Sequence, residues 1–222
     1  MCPLNDEIYL LNELGAVHTA NGIAAQPELW LKIYQQILED KKRISSYLND
    51  ALPEVCKIIL TGAGTSAYIG LSLHGTFKRS LKINTAAVAT TDIVTHPEDY
   101  FFDNETILLV SFARSGDSPE STAVVDLADK LCKKCFHIII TCDSTGQLAL
   151  YRSNLAKLII LLPPEANDKS LAMTVSYSGM LLCGLLIARL KEIDKLRLQI
   201  DICQQYGTKL PEQYESSLKK LA

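Results

Sequence analysis

The chain has no excess of positive charge. Its 22 lysines and arginines are set against 25 aspartates and glutamates, a net charge of −3 over 222 residues. No basic field therefore exists to grip a nucleic-acid backbone. Long apolar runs are missing too. The most apolar stretch, Met180 to Ala188, is too short to span a bilayer and stops at Arg189, so no membrane partner is expected. The opening MCPLNDEIYL holds two acids and no basic residue, which does not read as a secretory leader. The seven cysteines, Cys2, Cys56, Cys132, Cys135, Cys142, Cys183 and Cys203, are odd in number and scattered. They predict no disulfide framework, and a reducing cytoplasm suits them better. Glycine and proline are sparse, at 11 and 8, while 48% of residues are hydrophobic. Collagen-like and disordered classes are excluded, and the length allows a real core.

What is present begins with helix. Thr19 is a candidate cap for a short turn through Ile23 to Gln26. Pro27 then falls at the first position of the next helix, where its missing N–H costs nothing. Trp30, Ile33, Ile37, Ile44 and Leu48 follow at helical steps and form one apolar stripe. Asp40, Lys41, Lys42 and Arg43 interrupt it as a solvated face, and Pro53 closes a helical segment over residues 1–53. The stripe either covers neighbouring helices in cis or packs on another subunit of a homo-oligomer.

Over residues 54–190 the rhythm changes. Apolar runs predict strands at 56–61, 84–90, 106–112, 136–142 and 157–162. Helical or crossover-length segments separate most of them, the clearest at 65–79 and from Pro119 to about Lys134, with a short helical piece before the last run. Parallel neighbours need such crossovers. The fold class is therefore α/β: a three-layer sandwich with a five-stranded parallel sheet and flanking N- and C-terminal helices. Beyond Pro164 a helix is expected over 171–190, and two more within residues 191–222. Right-handed crossovers bring the loops after the strands to one sheet edge.

Two of those loops carry chemistry. After the first strand comes GAGTSA, residues 62–67. Gly62 and Gly64 permit close backbone approach, and Thr65 or Ser66 can cap the next helix beside an anion. A plain tight turn is the simpler reading. Gly62, Gly64 and Ala67 also match a relaxed dinucleotide fingerprint, but that needs an acid about 20 residues on. No acid lies between Gly64 and Asp92. After the third strand comes FARSGDSPES, residues 112–121. Ser118 before Pro119 reads as an N-cap with proline at the first helical position. Capping does not account for Arg114, Ser115 and Gly116 just ahead. Hydroxyls, a permissive glycine and a helix N-terminus together suit a phosphate monoester. Arg114 adds charge, or is simply a solvated turn arginine.

The ordered set GAGTSA, VATTD, SFARSGDSPES and ITCDSTG resembles the first sugar-isomerase (SIS) domain of phosphosugar isomerases. Within these it is most similar to the tagatose-6-phosphate ketose/aldose isomerase family, also assigned as galactosamine-6-phosphate deaminase/isomerase. AAQPELW before the domain and EANDKSLAMTVS after it carry the same likeness, which spans roughly residues 20 to 190. The resemblance implies a flavodoxin-like sheet and a hexose 6-phosphate ligand. It implies that Ser66, Ser115 and Ser118 hold the phosphate, with Gly64, Thr65, Arg114 and Gly116 shaping the cradle, and that Ser170 lines the sugar. It implies no metal and no other cofactor. The chain departs from the family at Asn167, where relatives usually carry histidine. An amide cannot titrate, though it can hydrogen-bond a sugar.

The remaining candidates have plain structural alternatives. Cys132 and Cys135 have zinc-like spacing without a second ligand pair. They are expected to end a helix and start a strand. His137 reads as a hydrogen-bonded sheet histidine. Asp92 ends strand two and either meets a sugar hydroxyl or caps a loop; Asp143 has the same ambiguity. An isomerase or deaminase needs an acid–base group, for which Glu165, Asp168 and His96 are the weak candidates. The resemblance places the family's catalytic glutamate and histidine in a second SIS domain. No second glycine–serine loop follows Pro164, and no histidine follows His137. The expectation is a phosphate-binding half with little turnover of its own, the C-terminal helices leading toward an absent second domain. The alternative is a sensing module that binds a phosphosugar without converting it.

Overall fold

The computed structural model describes residues 8–152 and 156–220; Cys2 and the start of the MCPLNDEIYL segment lie outside them. Five strands are found: β1 Lys57–Gly62, β2 Asn84–Ala89, β3 Thr106–Ala113, β4 Lys134–Thr141 and β5 Lys157–Leu161. They form one sheet in the order β2-β1-β3-β4-β5, and every pairing is parallel. The strands read as continuous apolar runs because both faces are covered. Ile58 and Leu60 point into one core, and Ile59 between them points into the other.

The helices are α1 Ile8–Glu13, α2 Val17–Glu39, α3 Lys41–Ala51, α4 Ala67–Leu81, α5 Thr90–Thr95, α6 Pro119–Leu131, α7 Val175–Ala188 and α8 Arg197–Lys219. Residues of α2, α3, α4 and α7 share one core with the sheet, and residues of α5 and α6 share the other. α4 and α6 follow the adjacent strands β1 and β3 yet lie on opposite faces. The chain thus leaves the ends of β1 and β3 in opposite directions. That divergence opens a crevice between the two strand ends, the place where ligands bind in open parallel sheets.

Several helix boundaries differ from expectation. α2 runs straight through Pro27 rather than starting there. The proline leaves the Ile23 carbonyl without its helical donor, and the Gln26 side-chain amide donates to that carbonyl at 3.4 Å. The buried proline ring meets α8, where a Cβ at Gly207 would lie 3.0 Å from Pro27 Cγ. Tertiary packing here outweighs a local cost of roughly 3 kcal/mol. α8 likewise passes through Pro211 as one helix, laid along α2, where two were expected. The apolar stripe is split at Asp40 into α2 and α3. It packs in cis: Ile33, Ile37, Ile44 and Leu48 are all buried in the α4–α7 core. Trp30 is half-buried, and its Nε1 donates to Ser178 Oγ at 3.1 Å. Residues 147–150 form turns rather than a helical piece.

Candidate functional site

The loops after β1 and β3 meet in a pocket of about 160 Å³. It sits where the crevice between the strand ends was anticipated. From the first loop come Ala63, Thr65 and Ser66; from the second come Arg114, Ser115, Gly116 and Ser118. Ser121, Leu171 and Met173, with Phe112 and Ala113 at the end of β3, complete the polar and apolar walls. Three serines expected to grip phosphate are therefore brought together with Arg114, Thr65 and Gly116. Gly64 is absent from the lining; it starts the 3-10 turn Gly64–Ser66 that leads into α4, at φ 53°.

Local contacts explain the loop shapes. Gly116 adopts φ 74°, the left-handed region that glycine tolerates best. Its carbonyl accepts the Leu148 N–H at 3.1 Å, while Asp117 Oδ1 accepts the Gln147 N–H at 2.9 Å. The β4–β5 connection is thereby laid against the second loop, so closely that any Cβ on Gly146 would collide with the Ser115 carbonyl. Ser115 Oγ accepts the Asp117 N–H at 3.3 Å.

Ser118 does occupy the N-cap of α6, with Pro119 following. Its hydroxyl makes no capping bond, however. It donates to Ser121 Oγ at 2.5 Å. Ser66 makes no capping bond to α4 either; its hydroxyl points to Met173 Sδ at 3.8 Å. Both serines are thus turned toward the pocket rather than spent on helix ends. Ser121 was not among the expected residues. Its signal was the i, i+3 spacing from Ser118, which puts both hydroxyls on one side of the first helical turn.

The segment after β5 forms the third wall. Arg114 Nη1 donates to the Ser170 carbonyl at 2.9 Å. Ser170 Oγ donates to the Ala172 carbonyl at 2.7 Å, so the hydroxyl is engaged locally. Leu171, 95% exposed, stands at the pocket rim. The helix expected from Leu171 begins only at Val175. It is capped by the Asp168 carboxylate, which accepts the N–H groups of Thr174, Val175 and Ser176 at 3.1, 3.3 and 3.0 Å. The hydroxyls of Thr174 and Ser176 add bonds at 2.7 and 2.5 Å. Burial pushes this carboxyl up, but those donors outweigh it and hold the group below the ordinary carboxylate value.

The other candidates stand apart from the pocket lining. Glu165 is exposed and ion-paired with Lys32 at 2.5 Å; that bond holds its carboxyl below the usual range. His96 is exposed beside Thr95. Asp92 is exposed on α5, where its carbonyl accepts the His96 N–H. Asn167 Nδ2 donates to Asp143 Oδ2 at 3.4 Å. Asp143 Oδ1 takes the Thr145 hydroxyl and N–H, which lower its carboxyl.

Cys132 ends α6 and Cys135 lies at the start of β4, as expected. Burial pushes the Cys132 thiol up to about 12 and the Cys135 thiol well above its ordinary value, which opposes thiolate chemistry. Among the described residues, Asp129, Cys135 and His137 form a group with metal-ligand chemistry. Fully buried His137 is hydrogen-bonded through Nε2 to Asp129 Oδ1 at 2.6 Å, and Tyr151 donates to Asp129 Oδ2 at 2.8 Å. This network ties β4 to α6 near the strand's beginning, away from the pocket at strand ends.

A family model described as the SIS domain matches residues 52–189. The D-galactosamine-6-phosphate deaminase AgaS of Shewanella sp. (strain ANA-3) is 44% identical over 183 residues, covering 80% of this chain and 47% of that protein. A structure from Clostridium novyi NT, assigned as a tagatose-6-phosphate ketose/aldose isomerase, superposes with a TM-score of 0.95 at 40% identity, covering 98% of this chain and 56% of that one. The tagatose-6-phosphate ketose/aldose isomerase of Escherichia coli gives a TM-score of 0.80 at 35% identity, covering 89% and 55%. The chain spans about half the length of the curated relatives it matches.

Proposed function

The chain belongs to the SIS-domain family, and from that membership we propose that it binds a hexose 6-phosphate and supplies the phosphate-gripping part of a sugar-phosphate isomerase or amino-sugar-phosphate deaminase. The observation that carries the reading is the single pocket in which Ser66, Ser115 and Ser118 converge beside Arg114. Hydroxyls and a guanidinium are the donors a phosphate dianion needs. The relatives' names point to galactosamine 6-phosphate or tagatose 6-phosphate as the sugar. The pocket gives a non-reacting anchor, which lets binding energy position the distant carbon centre.

The division into a helical segment over 1–53, a phosphosugar domain over 54–190 and C-terminal helices over 191–222 is part of the proposal. So are self-association and a cytoplasmic setting; six free cysteines among the described residues support the latter. No helix among the described residues is long and apolar enough to cross a membrane.

A second reading has its own support. None of the described residues lining the pocket is an aspartate, glutamate or histidine, which favours binding without turnover. Calorimetry with galactosamine 6-phosphate against galactosamine tests the phosphate grip. Measurable preference for the phosphorylated sugar is expected, and equal binding of both overturns it. Ammonia release on the same sample separates enzyme from binding module.

A further inference from the structure

The third wall of the pocket is built by a residue that does not line it. Asp168 receives five hydrogen bonds from Thr174, Val175 and Ser176, at 2.5 to 3.3 Å. They tie the two ends of the 169–173 segment together. That segment carries Leu171 and Met173 into the pocket and offers the Ser170 carbonyl to Arg114 Nη1 at 2.9 Å. Met173 also takes the Ser66 hydroxyl at 3.8 Å. α2 presses on the same knot from behind. Gly22 faces Thr174 Oγ1 and Asp168 Oδ1 so closely that a Cβ would overlap the threonine hydroxyl.

We propose that Asp168 is the positioning residue of the phosphate pocket, acting through the Ser170 carbonyl to hold the Arg114 guanidinium at the pocket wall. The proposal rests on the phosphosugar reading above. A half-buried arginine with several rotatable bonds needs a fixed acceptor to keep one geometry. The Ser170 carbonyl is that acceptor, and its place depends on the loop closed by Asp168. The carboxylate is engaged through both oxygens, so its part is orientation rather than proton transfer.

The test is a double-mutant cycle on the full chain, read as affinity for galactosamine 6-phosphate by calorimetry. Asp168→Asn and Arg114→Gln are each expected to weaken binding by about fivefold or more, and the double variant to bind about as Arg114→Gln alone does. A merely structural cap would lower the melting temperature yet leave affinity at 15 °C unchanged, or add its full loss on the Arg114→Gln background. Either result overturns the proposal. Should Asp168→Asn fail to fold, Ser176→Ala removes one donor to the same carboxylate and enters the same cycle, with the same two outcomes. Wild-type protein that binds the phosphorylated sugar no better than galactosamine overturns both the site reading and this one. Clear wild-type binding with an additive cycle overturns this one alone.

Discussion

The Ser118 hydroxyl donates to the Ser121 hydroxyl at 2.5 Å, and its oxygen accepts no N–H from the helix it begins. That arrangement changes what a substitution should do. A lost N-cap costs about 1 kcal/mol of stability, but no capping bond exists here to lose. Ser118→Ala should therefore leave the melting temperature nearly unchanged. If the pair faces phosphate, affinity for galactosamine 6-phosphate should fall by about 1.5–3 kcal/mol, as for a hydrogen bond to a charged group. Thermal melting and calorimetry on one sample check both halves. A large stability loss with unchanged affinity would return Ser118 to capping.

Gly207 on α8 and Trp30 on α2 give a stability prediction. A Cβ at position 207 would lie 2.8 Å from Trp30 Cζ3 and 3.0 Å from Pro27 Cγ. Alanine gains up to about 1 kcal/mol in helix propensity. Overpacking costs about 1–3 kcal/mol, and the indole cannot yield freely because Ser178 holds its Nε1 at 3.1 Å. Steric cost should win, and Gly207→Ala should melt at a lower temperature. Trp30 is the only tryptophan, so its fluorescence reports the disturbance directly. An unshifted spectrum with raised stability would contradict this packing.

Asp168 also makes stability depend on pH. Burial raises its carboxyl, but the Thr174 and Ser176 donors win and depress it below the ordinary 3.8. A depressed carboxyl contributes stability that is fully present above the unfolded value and is lost as pH falls through the folded one. Wild-type stability should thus drop with acidification below about pH 4. Asp168→Asn should be less stable at pH 7 and show a shallower acid decline. Denaturant melts across pH 2.5–7 measure both slopes, and parallel curves would deny the carboxylate this part.

Most of the sheet was legible because its strands are buried on both faces. Each predicted strand lies within two residues of the observed one, as with 56–61 against Lys57–Gly62 and 136–142 against Lys134–Thr141. Proline misled at Pro27 and Pro211, where long-range packing overrides a local break, and no local pattern announces that Gly207 will sit under Trp30. The pocket's two glycine–serine loops were legible because hydroxyls, glycines and a helix start cluster in sequence. The third wall was not. Asp168 reads as a possible acid–base group until the five donors around it are placed, and Arg114 reads as a turn arginine until Ser170 is brought to it from 56 residues away.

Proton transfer between sugar carbons needs a group within hydrogen-bond reach of the reacting proton and a pKa near the working pH. The residues lining the pocket offer hydroxyls, one guanidinium and apolar side chains, and no carboxylate or imidazole is among them. The named candidates are occupied or stand outside the pocket lining. Glu165 is held by Lys32, and its carboxyl is shifted away from neutrality. Asp168 is engaged through both oxygens by the cap of α7. His96 is exposed beside Thr95, outside the pocket lining. Asn167 donates to Asp143, and its amide cannot serve as an acid–base group. Grip without an acid–base group gives binding energy but no differential stabilisation of the transition state. The 222-residue chain should therefore bind galactosamine 6-phosphate while releasing ammonia, or interconverting ketose and aldose, at most at trace rates. Turnover comparable to ordinary isomerases would overturn this. Glu165→Gln and His96→Gln would then be the first variants to assay.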